Sequence, residues 1–317
     1  MNILITGGAG YIGSVAVKEL IKQNHNIVVV DNLSKGSKDL VNKGAKFHQI
    51  DLINKEELSK IFKENSFDSI IHFGAYKAVG ESMENAPKYS DNITGIINLL
   101  NCMVENSVEK IIFSSSAAVY GMPDVDIINE NTETKPINFY GYTKLAMEEI
   151  IQWYHKIHKI KYIALRYFNV AGDGGLNYID PDAQNIFPII AEVIKGKRDI
   201  LNIFGNDYDT RDGTCIRDYI HILDLVNAHI LALNSNFNGS INLGTANGVS
   251  VKELVDEFSN AISREIPIKY VPRRAGDPAV LIASNKIAKK ELNWEPKHTL
   301  KEMVVSTLKA YKIDTVE

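Results

Sequence analysis

The sequence predicts an α/β protein: a Rossmann-type, doubly wound parallel sheet followed by a smaller mixed α/β domain at the C-terminal end. Three observations support this fold class. Short runs of β-branched residues alternate with longer helical stretches through the first half of the chain. A glycine-rich turn over residues 6–13 joins the first strand to the first helix, and Asp31 closes the second strand. Continuously apolar strands that alternate with helices indicate a parallel sheet covered on both faces, with right-handed connections.

The elements of the first half follow in order. Strands are predicted at 3–5, 27–30, 47–50, 70–73, 111–113 and 163–167. Helices are predicted near 12–23, 55–64, 85–105 and 139–158.

The pattern changes after Asn169. Residues 171–184 are rich in Gly, Asp, Asn and Pro, which predicts a loop, and residues 202–218 are expected to be polar and turn-rich. Helices follow near 186–196, 222–234, 250–263, 284–292 and 300–311, with short strands at 241–244 and 268–271. We expect one domain over 1–168, with a return segment near 219–240, and a second over 169–317. They should pack directly together, because no low-complexity linker separates them.

The bulk composition is that of a soluble globular chain. The 317 residues are 45% hydrophobic and 23% charged, with a net charge of −4 and no strong basic run, which argues against a nucleic-acid partner. No apolar run approaches the roughly 20 residues of a membrane span. The two cysteines, Cys102 and Cys215, form no disulfide framework. Because the first residues already form a strand and no signal peptide precedes them, we expect a cytoplasmic protein.

The glycine turn is the first candidate binding site. Gly7, Gly10 and Gly13 lie between a strand and a helix, where glycines allow a tight turn and close backbone approach to a pyrophosphate. The helix N-terminus then presents backbone N–H groups to the phosphates. Asp31, about 20 residues further on, suits the 2′-hydroxyl of an adenine ribose and repels a 2′-phosphate. The sequence therefore predicts NAD rather than NADP.

Polar residues after later strands form the second candidate site. Ser116 closes a serine run that follows the fifth strand, at the sheet edge where open α/β sheets bind ligands. Tyr140 and Lys144 lie four positions apart, so on a helix they share a face. Lowering a phenol pKa from ~10 by about three units requires roughly 4 kcal/mol of phenolate stabilisation, which a fixed lysine and a cationic cofactor ring can supply. Capping of a turn is the alternative role for Ser116.

Several segments together resemble the extended short-chain dehydrogenase/reductase family, and within it the nucleotide-sugar 4-epimerases. The similarity extends nearly end to end. The segments are DNLS at 31–34, HFGAYKAVGES at 72–82, SSSAAVYG at 114–121, LRYFN at 165–169, FGNDYDTRDGTCIRDYIH at 204–221 and RRAGD at 273–277. The last two are much more specific than a glycine turn alone.

The resemblance implies a role for each matching position. For the NAD site it implies Gly7, Gly10, Tyr11, Ile12, Gly13, Asp31, Asn32, Leu33, Ser34, Gly36, Asp51, Leu52, Phe73, Ala75, Lys77, Asn92, Tyr140, Lys144 and Phe168. For the UDP-sugar it implies Lys77, Ser116, Tyr140, Asn169, Asn185, Phe204, Arg217, Arg274 and Asp277. Tyr140 would be the catalytic base, assisted by Lys144 and Ser116. Either Asp91 or Asn92 would contact the cofactor, because Asp91 stands where the family often has Asn.

The resemblance also implies the reaction, inversion at C4 of a UDP-hexose such as UDP-glucose or UDP-galactose, by a homodimer that associates through helices 92–105 and 142–157. Four alternatives stay open. A 4,6-dehydratase would carry an Asp-Glu pair where this chain has Ala117 and Ala118. The others are an enzyme of UDP-uronic acids, an epimerase for N-acetylated sugars, which depends on Leu281 beside the sugar, and an NAD-sensing protein without catalysis. No residue pattern predicts a metal site.

Overall fold

The computed structural model describes residues 1–179, 184–274 and 276–316. Its strands are β1 (Asn2–Thr6), β2 (Asn26–Asp31), β3 (Lys46–Gln49), β4 (Ser69–His72), β5 (Lys110–Ser116), β6 (Ile127–Ile128), β7 (Lys161–Tyr167), β8 (Asn169–Ala171), β9 (Leu201–Phe204), β10 (Ile216–His221), β11 (Gly239–Leu243), β12 (Gly248–Ser250), β13 (Ile268–Val271) and β14 (Val280–Ala283). Its α-helices are α1 (Tyr11–Lys22), α2 (Lys55–Glu64), α3 (Val79–Glu84), α4 (Ala86–Glu105), α5 (Phe139–His158), α6 (Ile186–Ile194), α7 (Ile222–Asn234), α8 (Val251–Ile262), α9 (Lys286–Leu292) and α10 (Leu300–Ala310).

Within the described residues, seven strands form the central sheet in the order β11-β7-β5-β4-β1-β2-β3, and every neighbouring pair is parallel. The order reverses between β1 and β4, which is the point where a doubly wound sheet opens a crevice for a ligand. The predicted Rossmann-type fold is confirmed, including the six strands expected in the first half.

Helices cover both faces of this sheet. On one face α1 and α7 share a core in which Val15 and Leu20 pack with Leu225 and Val226. On the other face α2, α4 and α5 enclose a second core around Leu58, Leu99 and Met147. The residues of the first core come from both halves of the chain, because α7 and β11 return to this layer after the chain has left it. Burial of these apolar side chains is the main favourable contribution to folding, at roughly 25 cal/mol per Å².

The region after Asn169 forms smaller sheets packed beside the central one. β10 pairs antiparallel with β12 and parallel with β14, β8 pairs β10, and β13 pairs β9. The mixed α/β character predicted for this region is confirmed. Phe187, Leu254, Phe258 and Leu308 lie in its core.

The prediction that residues 202–218 are merely turn-rich is wrong. β9 begins at Leu201, and β10 takes in Arg217 and Asp218. The polar residues of β10 do not resemble a buried strand in the sequence. Asp218 is nevertheless buried there, because its carboxylate accepts hydrogen bonds from the backbone of Thr245, Ala246 and Ala283. The expected loop at 171–184 is described as far as residue 179 and again at 184; residues 180–183 lie outside the described part.

No helix among the described residues has the length and apolar content to cross a membrane. Cys102 and Cys215 are both buried free thiols. The part of the chain that the structure describes also contains no cluster of His, Cys, Asp and Glu able to hold a metal ion.

Candidate active site

The glycine turn closes tightly on itself at the start of α1. Gly7 has φ +71°, in the left-handed region that favours glycine, and the Gly10 N–H donates to the Gly7 carbonyl at 3.2 Å. A Cβ added at Gly13 would overlap the Gly7 carbonyl oxygen. Gly10 caps the helix without a side chain, and no acidic residue occupies the first turn. The turn therefore forms a narrow cradle with a positive helix end, which fits a pyrophosphate.

Tyr11 and Ile12 open α1 directly above this cradle. The Tyr11 hydroxyl donates to the carbonyl of Gly172, and its ring stacks on Tyr178 with ring centroids 5.1 Å apart. Ile12 is partly buried and packs against the first core. Tyr11 therefore ties the glycine turn to the segment that leads into the second region.

Asp31 lies at the end of β2 beside the turn. Its carboxylate accepts from Ala9 N at 3.0 Å and from Leu33 N at 2.8 Å. Burial raises the pKa of Asp31, and these two backbone donors oppose that rise. A carboxylate oxygen can accept more than one hydrogen bond, so Asp31 keeps capacity for a ribose hydroxyl.

The segment 32–36 folds back over the glycine turn. Asn32 donates to Asp51 at 2.8 Å and accepts from the backbone of Ser34 at 2.9 Å. Leu33 adopts a positive φ of 60°, and a Cβ on Gly36 would lie 2.8 Å from the Ala9 carbonyl oxygen. The residues predicted to surround the adenosine half of the cofactor are thus brought together at the ends of β2 and β3.

The residues after β4 lie at the same edge of the sheet. Leu52 approaches Gly74 closely, and Phe73 packs against the ring of His229 with centroids 4.7 Å apart. Ala75 is partly buried in the loop that follows, and Lys77 is exposed there.

Asn92 is one of the two residues expected to contact the cofactor. It is buried on α4, where Oδ1 accepts from Tyr76 N at 2.8 Å and Nδ2 donates to Tyr76 O at 3.1 Å and to Thr143 at 3.4 Å. Its amide is therefore engaged in holding the loop after β4, whereas Asp91 is partly exposed.

Tyr140, Lys144 and Ser116 meet where β5 ends beside the start of α5. Tyr140 hydrogen-bonds Ser116 through their side chains, and Lys144 Nζ lies 5.9 Å from the centroid of the Tyr140 ring. Lys144 Nζ also donates to the Ser114 carbonyl at 2.7 Å. The serine run belongs to β5 itself rather than following it. Ser116 Oγ additionally accepts from Ala118 N at 3.2 Å, so it fills the capping role as well.

Burial sets the electrostatics of this group. Burial raises the pKa of Tyr140, and the hydrogen bond with Ser116 opposes the rise. Burial lowers the pKa of Lys144 to about 7, and the nearby Glu148 carboxylate opposes that lowering. Burial, assisted by the charge of Lys144, lowers the pKa of His72 to about 3. The pKa of Lys144 therefore lies near neutral pH. Strongly shifted pKa values of this kind are typical of a proton-transfer site.

The predicted sugar-nucleotide residues lie around β8, β10 and β14. Arg217 forms an ion pair with Asp277, and its Nη1 donates to Ile216 O at 2.7 Å. The Arg274 guanidinium lies 3.8 Å from the centroid of the Phe204 ring. The structure therefore pairs the residues predicted from the two C-terminal segments with one another.

The other three predicted substrate and nicotinamide positions lie on separate elements. Phe168 is buried directly after β7, and Asn169 Nδ2 donates to the Asp218 carbonyl at 3.1 Å. Asn185 is exposed and caps α6 without a side-chain hydrogen bond.

Comparison with known proteins identifies the family. A family model described as GDP-mannose 4,6 dehydratase matches residues 4–307. A UDP-glucose 4-epimerase of Lacticaseibacillus casei is 43% identical over 315 residues, covering 97% of this chain and 95% of the relative. The chain belongs to the UDP-glucose 4-epimerase family. This membership confirms the predicted extended short-chain dehydrogenase/reductase family and the prediction of an NAD-dependent isomerase.

Solved structures of the family show the same fold. A Bifidobacterium longum UDP-glucose 4-epimerase in complex with NAD⁺ and UDP superposes with a TM-score of 0.91 at 36% identity, covering 98% of each chain. The UDP-Glc/GlcNAc 4-epimerase of Campylobacter jejuni superposes with a TM-score of 0.88 at 39% identity, covering 98% of this chain and 99% of that one. The NAD cofactor predicted from the glycine turn and Asp31 is consistent with the first of these complexes.

Three residues beside the site escaped prediction from the sequence. Glu148 is fully buried one turn beyond Lys144, Arg166 pairs with it from β7, and Tyr167 contacts Ser114 through their hydroxyls. A charged residue four positions after the lysine, and an arginine inside an apolar strand, were the available signals. Neither shows its partner in the sequence, because the partners lie 18 or more residues away.

Proposed function

We propose that the protein interconverts UDP-glucose and UDP-galactose by transient oxidation at C4, with Tyr140 as the base. The observation that carries this proposal is the meeting of Tyr140, Lys144 and Ser116 at the end of β5, beside a cradle suited to NAD. The two residues after Ser116 are Ala117 and Ala118, which have no acid or base group for elimination. The site is therefore equipped for oxidation and reduction at one carbon.

The cofactor cradle fits NAD through residues of this chain. The glycine turn and the α1 N-terminus would hold the pyrophosphate, and Asp31 would accept from the adenine ribose. When bound, NAD supplies a hydride acceptor for C4 and returns the hydride. Asn32, Asp51 and Phe73 would enclose this part of the crevice. Phe73 is joined to the start of the turn, because its N–H donates to the Thr6 carbonyl at 3.0 Å.

Tyr140 would remove the proton of the sugar 4-hydroxyl and later return it. Ser116 would hold that hydroxyl, because its Oγ already contacts the Tyr140 phenol. Lys144, in its ammonium form, would stabilise the phenolate, since an opposite charge nearby favours the charged form of an acid. General base catalysis of this kind contributes typically 10²–10⁴-fold.

The UDP moiety would be anchored in the second region. The sugar could then rotate so that either face of its C4 atom meets the nicotinamide. Arg217 and Arg274 suit phosphate contacts, because a guanidinium can donate two parallel hydrogen bonds. Asp277 orients Arg217, and the stacked ring of Phe204 orients Arg274. Asn169 is the first residue of β8 and Asn185 is the N-cap of α6. From these positions they would contact the sugar and the diphosphate.

A preference for N-acetylated sugars is the second candidate specificity. Leu281 pairs in register with Arg217 and packs against the cluster that contains Phe168. It therefore lies between the expected phosphate anchor, Arg217, and the expected nicotinamide position, where its size would limit a 2-acetamido group. The similarity to the Campylobacter jejuni UDP-Glc/GlcNAc 4-epimerase supports a dual specificity as the second candidate.

A homodimer is part of the proposal. α4 and α5 pack against each other and present exposed apolar side chains to solvent. Ile97, Val104, Tyr142, Trp153 and Ile157 are 36%, 36%, 52%, 59% and 64% exposed. Such a concentration of exposed apolar side chains on two adjacent helices is typical of an interaction surface. A cytoplasmic location and a place in galactose metabolism complete the proposal.

The decisive experiment incubates purified protein, with its bound nucleotide measured, separately with UDP-galactose and UDP-N-acetylgalactosamine. Formation of UDP-glucose supports the main proposal, and faster turnover of the N-acetylated sugar supports the second specificity. Bound NAD without turnover of either sugar would instead favour an NAD-sensing protein.

A further inference from the structure

Glu148 is a fully buried carboxylate on α5, and no cofactor or substrate role accounts for it. It follows Lys144 by one helical turn and Tyr140 by two, so the three side chains share a face of the helix. Removing a carboxylate from water is costly unless it is paired and hydrogen-bonded. A buried charge at this position therefore calls for a specific set of partners.

Those partners come from three adjacent strands. Ser115 on β5 donates its hydroxyl to Glu148. Arg166 on β7 donates from Nε at 3.0 Å and from Nη2 at 2.6 Å, and Ser240 on β11 donates at 3.1 Å. Because β5, β7 and β11 are neighbours at one edge of the sheet, a single carboxylate fastens α5 across all three.

The network reaches the site from both sides of Ser116. Ser115 precedes it, and Ser115 pairs in register with Arg166. Arg166 Nη1 also donates to the Tyr120 hydroxyl at 3.0 Å, and Tyr120 donates to Asn242 at 2.7 Å. Tyr120 closes the short 3₁₀ turn that starts directly after Ser116. The Arg166 guanidinium therefore contacts Tyr120 on one side and Glu148 on the other, which fixes the position of the Glu148 carboxylate.

The groups that face Lys144 decide where its proton resides. They are Tyr140 and Glu148 on its own helix and His72 on β4. Behind them on β7, Arg166 pairs with Glu148, and Tyr167 lies near Tyr140. Neighbouring titratable groups such as the tyrosine and lysine ionise as a pair. With one proton between them, the pair exists as phenolate and ammonium or as phenol and amine. A carboxylate one turn from the lysine and two turns from the tyrosine favours the ammonium.

We propose that Glu148 is a positioning residue for this reaction: it holds the shared proton on Lys144, leaving Tyr140 as phenolate, and it fixes both side chains over the end of β5. The inference rests on the proposed function of Tyr140 as the base. Arg166, Ser115 and Ser240 serve it by satisfying the carboxylate.

The test compares Glu148→Gln with the unaltered enzyme. Glutamine keeps the size and an acceptor oxygen but removes the charge, so kcat at neutral pH should fall roughly tenfold or more while KM for UDP-galactose changes less than about twofold. Glu148→Asp, which retains the charge, should recover most of the loss. Glu109→Gln is the matched control and should keep full activity, because Glu109 is exposed and directly precedes β5, at the end of the strand remote from Ser116. Unchanged kcat in Glu148→Gln overturns the inference.

A second readout uses no substrate. The ultraviolet phenolate absorbance of the NAD-bound protein, minus that of Tyr140→Phe, measures the ionised fraction of Tyr140. Glu148→Gln should lower that fraction at neutral pH, whereas a purely structural role for Glu148 would leave it unchanged and overturn the inference. A Glu148-dependent phenolate in a protein that fails to epimerise UDP-galactose would refute the proposed function alone.

Should Glu148→Gln fail to retain NAD or to fold, Ser115→Ala becomes the deciding variant. It removes one donor to the carboxylate and leaves the ion pair with Arg166. A severalfold fall in kcat with normal NAD content supports the positioning role, and wild-type kcat in Ser115→Ala overturns it.

Discussion

Lys144 Nζ donates a 2.7 Å hydrogen bond to the carbonyl of Ser114, two residues before Ser116 on the same strand. The lysine of the helix is therefore fixed to the strand that carries the serine of the site. Tyr140, one turn earlier on α5, contacts Ser116 through its hydroxyl. β5 and α5 thus hold the tyrosine, the lysine and the serine as one unit. A substitution on either element should therefore alter the position of the catalytic side chains on the other.

Tyr140→Phe should lower kcat by at least about 10²-fold, because it removes the base without changing the shape of the pocket. Bound NAD and the affinity for UDP should stay near those of the unaltered protein. Turnover assays and nucleotide content measure both effects. Tyr142→Phe, on the same helix but half exposed, is the control and should stay active. Near-normal turnover of Tyr140→Phe would refute the assignment of the base.

Gly13→Ala should abolish or strongly reduce NAD retention. The added methyl group would overlap the Gly7 carbonyl, so the turn must open and the phosphate cradle is lost. Nucleotide released on denaturation of the purified protein measures the effect. Gly80→Ala is the matched control, because a Cβ there meets no atom within 4 Å. Full NAD content in Gly13→Ala would contradict the proposed position of the pyrophosphate.

Arg217→Met should raise KM for UDP-galactose about tenfold to a hundredfold while kcat changes little. Loss of a charge-assisted hydrogen bond costs about 1.5–3 kcal/mol, and UDP is held alike in ground and transition states. Steady-state kinetics and UDP titration measure it. Arg211→Met is the control, since that exposed arginine pairs with Glu253 on the surface. An unaltered KM in Arg217→Met would exclude the arginine as a phosphate anchor.

Trp153→Glu should convert a dimer into a monomer at micromolar concentration, because a charge would be buried in an apolar interface. Light scattering measures the mass directly. Ile200→Glu introduces the same charge at a 41% exposed position in the second region and should leave the mass unchanged. A monomeric unaltered protein would remove the predicted dimer altogether.

His229 should make the protein sensitive to acid. Burial lowers the pKa of His229 to about 4, from 6.5 when unfolded, so below pH 6.5 the unfolded chain binds more protons. Its contribution to stability is complete above pH 6.5 and is lost as pH falls towards 4, by roughly 2 kcal/mol at pH 5. His229→Gln should narrow the difference between urea unfolding free energies at pH 7 and pH 5. An equal acid loss in both proteins would contradict this.

Much of the cofactor half was predictable because its signals are local. A glycine-rich turn with a strand before it and a helix after it is recognised from consecutive residues. The same holds for Asp31 at the end of β2 and for the Tyr140 and Lys144 spacing on α5. The partners of the Asn92 amide were not predictable in this way, because they lie in the loop 16 residues earlier and at Thr143 on α5.

The order of residues is enough to predict the alternation of strands and helices, the dinucleotide turn and the family to which the chain belongs. It does not reveal that 202–218 contains parts of β9 and β10, that β11 joins β7 in the central sheet, or that Ser115, Arg166 and Ser240 satisfy Glu148. These features emerge only in three dimensions, because a polar residue forms part of a core only when distant partners satisfy it. Those partners lie 18 to 92 residues from Glu148, a separation that no local pattern can express.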